Sequence, residues 1–269
     1  MTRRFGVEIE AKGLQQATVV STLGAIGVPC IFSNYGSQTV PTWKVQRDGS
    51  LGRGGYELVS PPMVGTEGLE EVRKVVQAIA RKTRASATGV DRTCGLHIHV
   101  EMANATVDQF KRLIKSYANN EDVIDSIMPE SRRANRNYYT GSLYGLTETT
   151  TPEQRVQLVT AFFQRVDACT SVNEIAAILG TRYKKLNLYA YMEHGTVEFR
   201  HHSGTIEADK VCNWARFCDA FVNHAVNAKV IRPWGVNKMT QTARMRTVLQ
   251  MLKLEDLYPY YRDRIRELR

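Results

Sequence analysis

The first residues that could do chemistry are Glu8 and Glu10, one apolar residue apart in the segment FGVEIEA. On a strand, side chains two apart share a face, so these carboxylates would stand about 6.6 Å apart. At an effective dielectric of 20 they repel by roughly 2.5 kcal/mol, which a nearby cation or open water must relieve. The ordinary reading of such a pair is a solvated face, because charges usually look outward. His97 and His99 repeat the spacing in GLHIHV, where a histidine is commonly structural but neutral imidazole is also a frequent metal ligand. Glu198, Arg200 and His202 alternate with Val197, Phe199 and His201 in VEFRHHSGT, and a surface ion pair is the plain explanation there. Glu57 lies between GGY and LVSPP, and Asp48 lies in RDGS, where an Asp normally shapes a turn.

These residues need elements to hold them. Phe5 to Ala11 alternates as a half-buried strand, with Phe5, Val7 and Ile9 on one face. Gln15 to Ile26 reads as a helix ended by Gly27, and strands follow near Trp43 to Arg47 and Tyr56 to Val59, closed by Pro61 and Pro62. The spacing predicts a long helix from Thr66 to Ala85, a strand from Leu96 to Val100, and a helix from Thr106 to Tyr117. Leu186 to Tyr191 and Thr196 to His201 are predicted as a strand hairpin turning at MEHG. From Ala208 onward the pattern is helical. Residues 127 to 151, rich in Arg, Asn, Tyr, Ser and Gly, form a long loop of the kind that carries function. The expected class is α+β with a mainly antiparallel sheet and helices outside it.

If the four acid- or imidazole-bearing strands share one sheet, their polar faces merge. Glu8, Glu10, Glu57 and Glu198 with His97 would then line one cavity, a set that suits Mg²⁺ or Mn²⁺ better than Zn²⁺. Such hard cations normally bridge carboxylates to phosphates, and Arg200 would neutralise charge on a transferring phosphoryl group. No G-x-x-x-x-G-K-[ST] and no strand-borne G-x-G-x-x-G occurs, so a Walker-type or dinucleotide site is set aside.

Composition bounds the rest. At 269 residues and 43% hydrophobic content, one large domain with a helical C-terminal part from about residue 207 is expected. The opening MTRRFGVEIE lacks the apolar stretch of a secretory signal, and no run of eighteen apolar residues occurs. Five cysteines, an odd number without a C-x-x-C pair, fit a reducing compartment, so a soluble cytoplasmic protein is the expectation. The excess of 36 Lys and Arg over 27 Asp and Glu leaves +9, whose sign alone does not choose a partner.

The ordered set GVEIE, RDGSLGRGGYELVSPP, CGLHIHV, RYKKLNL and VEFRHHSGT resembles the amidoligase family, relatives of glutamine synthetase and γ-glutamylcysteine synthetase among carboxylate-amine ligases. The resemblance runs from Phe5 to Thr205. It implies a glutamine synthetase-like fold with a curved sheet, ATP, and two or more Mg²⁺ ions, with a small-molecule or peptide carboxylate and an amine as co-substrates. By motif position it implies that Glu8, His97 and Glu198 hold one metal and Glu10 and Glu57 another, with His99 and Arg200 meeting phosphates. Arg182, and Arg132, Arg133 and Asn135 in SRRANRNYY, are similar to family positions near the carboxylate substrate or the phosphates. Where glutamine synthetase supplies a further carboxylate eight residues past the match to Glu57, this chain has Gly65, so the second metal is either less enclosed or borrows Asp48.

Two other readings are carried from the residues. In a zinc hydrolase, His97, His99 and Glu198 would bind the metal and leave the remaining acids little to do. In a basic nucleic-acid-binding protein, RRANRNYY would supply cations and stacking rings. The same acids would repel a phosphate backbone, which makes nucleic acid the weaker expectation. Membrane association is not expected, and an oligomer is compatible with the sequence.

Overall fold

A computed structural model describes residues 1–34, 39–84, 89–236 and 238–269. The chain is α+β. Its strands pair in both parallel and antiparallel fashion, and helices surround them. It forms two compact units, the first Met1–Glu101 with His202–Asp219, the second Met102–His201 with Ala220–Arg269. Among the described residues no helix is long and apolar enough to cross a membrane.

The first unit holds β1 (Phe5–Lys12), α1 (Gln16–Gly24), β2 (Cys30–Phe32), β3 (Trp43–Gln46), β4 (Gly55–Val59), α2 (Gly65–Arg84) and β5 (Gly95–Glu101). Its strands run in the order β2-β3-β4-β1-β5, antiparallel except for β2 beside β3. The period-two pattern of β1 is realised as expected, with Phe5, Val7, Ile9 and Ala11 all buried. They share the apolar face with Trp43, Val45, Tyr56, Leu58, Leu96, Ile98 and Val100, likewise buried. Each large side chain so covered contributes about 1.5–3 kcal/mol, which fixes the register and therefore what stands on the other face. Helix α1 packs on β2, β3 and α2. The expected helix end at Ala85 lies outside the described residues.

The sheet is mixed because of β2, which the sequence reading lacks. Three residues long and at the edge, with Ile31 and Phe32 exposed, β2 carries no alternation to detect.

The second unit contains α3 (Val107–Asp125), α4 (Pro152–Ala168), α5 (Val172–Leu179), β6 (Leu186–Asn187), α6 (Tyr189–His194), most of β7 (Thr196–Ser203), the end of α7 (Ala208–Asn227), α8 (Gln241–Met251) and α9 (Tyr258–Glu267). Thr106 caps α3, accepting from the Gln109 N–H while the Gln109 side chain accepts from the Thr106 N–H. The expected strand from Leu186 to Tyr191 is corrected by the structure. Only Leu186 and Asn187 pair antiparallel with β7, opposite Phe199 and Glu198. The Asn187 side chain then accepts the Tyr189 N–H at 2.8 Å and turns the chain into α6, which Gly195 ends in a left-handed conformation. Leu186, Leu188 and Ala190 imitate a strand pattern, but helical winding brings the Tyr191 ring edge-on to Phe110, 4.6 Å away.

Candidate functional site

The polar face of the first unit's sheet follows from the register. Glu10 stands opposite Glu57 of β4, Glu8 opposite His97 of β5, and Gly6 opposite His99. Glu8 Oε2 lies 3.3 Å from His97 Nδ1, and Glu8 Oε1 lies 3.3 Å from His99 Nε2. Glu10 Oε1 lies 3.8 Å from His97 Nε2, while Glu10 Oε2 accepts the Gly95 N–H at 2.5 Å. Glu57 Oε2 accepts from the Gln46 amide at 2.5 Å. One ligand atom from each of Glu8, Glu57 and His97 falls within a 4.8 Å group, and so does one from each of Glu10, Asp48 and Glu57.

Asp48 fulfils the turn role as well, because its Oδ1 accepts the Ser50 N–H at 2.7 Å. Gly95 makes the close approach possible. A Cβ there would meet His97 Nε2 at 2.6 Å and Glu10 Oε2 at 3.2 Å, so any other residue would push the imidazole off the acids.

The electrostatics are uneven across the face. Burial would raise Glu8, but the imidazoles of His99 and His97 hold it well below the usual carboxylate range. Burial first, then the charges of Glu8, Glu10 and Asp48, push Glu57 well above that range, against the help of Gln46. Among the described residues none of Glu8, Glu10, Asp48 and Glu57 pairs with a lysine or arginine. Oxygen donors with one or two imidazoles, crowded and lacking a basic partner, fit a hard divalent cation.

In the second unit, buried Glu198 accepts from Asn187 Nδ2 at 2.7 Å and from Arg200 Nη1 at 2.5 Å. The Arg200 guanidinium lies 6.0 Å from the centre of the Tyr183 ring, and that of Arg182 lies 5.2 Å from it. Arg132 is buried. Arg133 donates to the carbonyls of Met128 and Leu268 at 2.8 and 2.7 Å, tying the loop to the last helix. Asn135 accepts the Ser142 N–H at 2.8 Å. His202 belongs to the first unit, where its ring lies 5.5 Å from Trp214.

Sequence reasoning missed three groups. Gln46 and Asn187, the amides that hold Glu57 and Glu198, were detectable only once the cross-strand partners were known. The third is Lys185, fully buried, donating to Glu121 at 3.0 Å and to Asp125 at 2.6 Å. Asp125 also meets His201 Nε2 at 2.6 Å, and Tyr117 meets His201 Nδ1 at 2.8 Å. The free oxygens of these acids accept the backbone N–H of Leu143 at 3.0 Å and of Ala134 at 2.8 Å, which clamps the long loop at two points. Beside it lies a cavity of about 750 Å³ with Asp122, Arg155 and Arg244 in its wall. Its two arginines bind Asp122 at 3.1 Å and 2.5 Å.

Within this α+β chain, strands that gather carboxylates and imidazoles on one polar face define a candidate functional centre with the donor atoms to hold a metal ion. The sequence profile of the family described as "putative amidoligase enzyme" matches residues 1–222, and the chain belongs to that family. A search of curated proteins found none that matches.

Proposed function

We propose that the protein is an ATP-dependent carboxylate-amine ligase that forms an amide bond through an acyl-phosphate intermediate. The family supports amide-bond formation, and the observation that carries the rest is the crowding of Glu8, Glu10, Asp48, Glu57 and His97 ligand atoms within 4.8 Å groups. Glu8, Glu57 and His97 would hold one Mg²⁺ or Mn²⁺, and Glu10, Asp48 and Glu57 a second. Bound there, the ions would supply positive charge against the nucleotide phosphates. On motif order alone we add Glu198 to the metal ligands and Arg200 and His99 to the groups that meet phosphates, on a glutamine synthetase-like curved sheet.

The chain's own contribution is positioning and neutralisation, which is what phosphoryl transfer requires of a protein. Gly95 and Gln46 orient Glu10 and Glu57 by direct hydrogen bonds. Asn187 fixes Glu198 and leaves the Arg200 guanidinium directed by that carboxylate. Arg182, Arg132, Arg133 and Asn135 border the carboxylate substrate or the phosphates in this reading. The scheme assigns no cysteine as a nucleophile, and four of the five are buried thiols.

The test is to incubate the protein with ATP, Mg²⁺, pooled carboxylic acids and pooled amines, and to measure ADP, phosphate and the new amide. ADP release that requires both a carboxylate and an amine is the expected result. Turnover indifferent to either, or amide cleavage with tightly retained zinc, would overturn it.

A further inference from the structure

Tyr138, Tyr139 and Tyr183 come together in the second unit although two of them face solvent. Tyr138 is 77% exposed and Tyr139 46% exposed. Their ring centres are 5.3 Å apart, and Tyr183 lies 5.4 Å from the first and 5.2 Å from the second. Isolated exposed aromatics need no explanation, but three in mutual contact make a patch. The patch is also held in place. Tyr139 N–H donates to Asn137 Oδ1 at 2.8 Å, Gly141 N–H donates to the Tyr183 carbonyl at 2.9 Å, and Lys185 N–H donates to the Gly141 carbonyl at 3.0 Å. Rings this exposed add little to folding, so their fixed arrangement calls for something that comes from solution.

The surroundings specify the chemistry. Exposed Arg182 stands 5.2 Å from the Tyr183 ring centre with Nη2 3.4 Å from its hydroxyl, and Arg200 stands 6.0 Å from the same ring. Tyrosine faces take flat rings by stacking, largely irrespective of ring identity, and guanidinium groups take carboxylates or phosphates. We infer that Tyr138, Tyr139, Tyr183 and Arg182 form a stacking subsite for a planar aromatic ring that carries an anionic group. Two sources offer that chemistry, a nucleobase with its phosphate and an aromatic acid presenting its carboxylate. The choice between them rests on the ligase reading, whereas the subsite itself does not.

Calorimetric titration of the whole chain with AMP, adenosine, N-acetyltryptophan, N-acetyltryptophanamide and Mg²⁺-tripolyphosphate tests it. At least one aromatic anion binds the native chain more tightly than its uncharged counterpart. The Tyr138→Ala/Tyr139→Ala pair weakens that binding about tenfold or more, and Tyr138→Phe/Tyr139→Phe restores it. Arg182→Ala removes the advantage of the anion and leaves the uncharged ring unaffected. Sensitivity confined to AMP identifies a nucleobase, and sensitivity confined to N-acetyltryptophan identifies an aromatic acid. Binding of neither aromatic anion, or equal binding by the native and alanine forms, overturns the subsite. Tripolyphosphate separates the two ideas. If it binds natively while the rings add nothing, the phosphate reading stands and the subsite falls; if only the aromatic acid binds, the reverse holds.

Discussion

Two acid clusters in this protein solve the same electrostatic problem differently. In the second unit, Glu121 and Asp125 are buried around the Lys185 ammonium, at 3.0 and 2.6 Å, and their remaining oxygens are taken by backbone N–H groups. In the first unit, Glu8, Glu10, Asp48 and Glu57 meet imidazoles, an amide and two backbone N–H groups, but no lysine or arginine among the described residues. The first arrangement is complete as folded. The second keeps carboxylates close with no lysine or arginine between them among the described residues, which is the donor arrangement the proposed divalent ion would use.

The largest expected effect comes from breaking the complete cluster. Lys185→Met leaves two buried carboxylates without their ammonium and costs about 3–5 kcal/mol of stability, read as a lower urea midpoint. A midpoint equal to that of the native chain would show that the cluster is not the structural one. Exchange protection of Ala134 and Leu143 amides should fall with it, since their acceptors are the same two acids.

His201 gives the complete cluster a pH signature. Burial and the Lys185 charge push its pKa down from 6.5 to about 4, while Asp125 resists. The neutral ring then donates from Nε2 to Asp125 and accepts from the Tyr117 hydroxyl at Nδ1. The unfolded chain takes up this proton first, so the stability involved is complete above about pH 6.5 and is lost as pH falls toward 4, saturating near roughly 3 kcal/mol. Asp125, held below its usual range against burial by Lys185 and His201, extends the loss to lower pH, whereas burial raises Glu121, which works in the opposite sense. Denaturation of the native chain and of His201→Gln across this window should show the steeper acid loss in the native chain. Parallel curves would count against it.

The contrast also explains what could be read in advance. The acids of β1 and the imidazoles of β5 were legible because one strand face is wholly apolar, so period two fixes where Glu8, Glu10, His97 and His99 point. Lys185 was not, because its burial depends on carboxylates 60 and 64 residues away in sequence. The tie of Arg133 to two carbonyls, one of them 135 residues distant, was hidden for the same reason. Alternation identifies a face, and only tertiary neighbours decide whether a charge on it is already answered. The strand expected through Tyr191 shows the same limit, since an asparagine side chain outweighed six residues of pattern.

Adding a divalent cation should sharpen the comparison. Mg²⁺ or Mn²⁺ at a hundredfold excess over its dissociation constant should stabilise the native chain by about 2.7 kcal/mol. Glu8→Gln, which removes a carboxylate from the crowded face, should lose most of that gain, and Lys185→Arg should keep it. No metal-dependent rise in the native chain's thermal midpoint would remove the distinction between the clusters.

The smallest effect is the most diagnostic, because its sign differs between the two kinds of site. Glu10 and Glu57 face each other across β1 and β4, so Glu57→Gln replaces a like-charge contact by one that an amide can bridge. Without metal the variant should be more stable than the native chain by about 1 kcal/mol, the scale on which like charges directly opposite in a sheet act. With metal the order should reverse, since a ligand has been lost while the native chain gains its ion. The two thermal midpoints, measured with EDTA and with Mn²⁺, therefore cross. The matching change in the complete cluster, Asp125→Asn, should destabilise under both conditions, because there the carboxylate already holds an ammonium at 2.6 Å. If Glu57→Gln lowers stability without metal as well, Glu57 is a structural acid like Asp125, and the first cluster does not need a cation from solution.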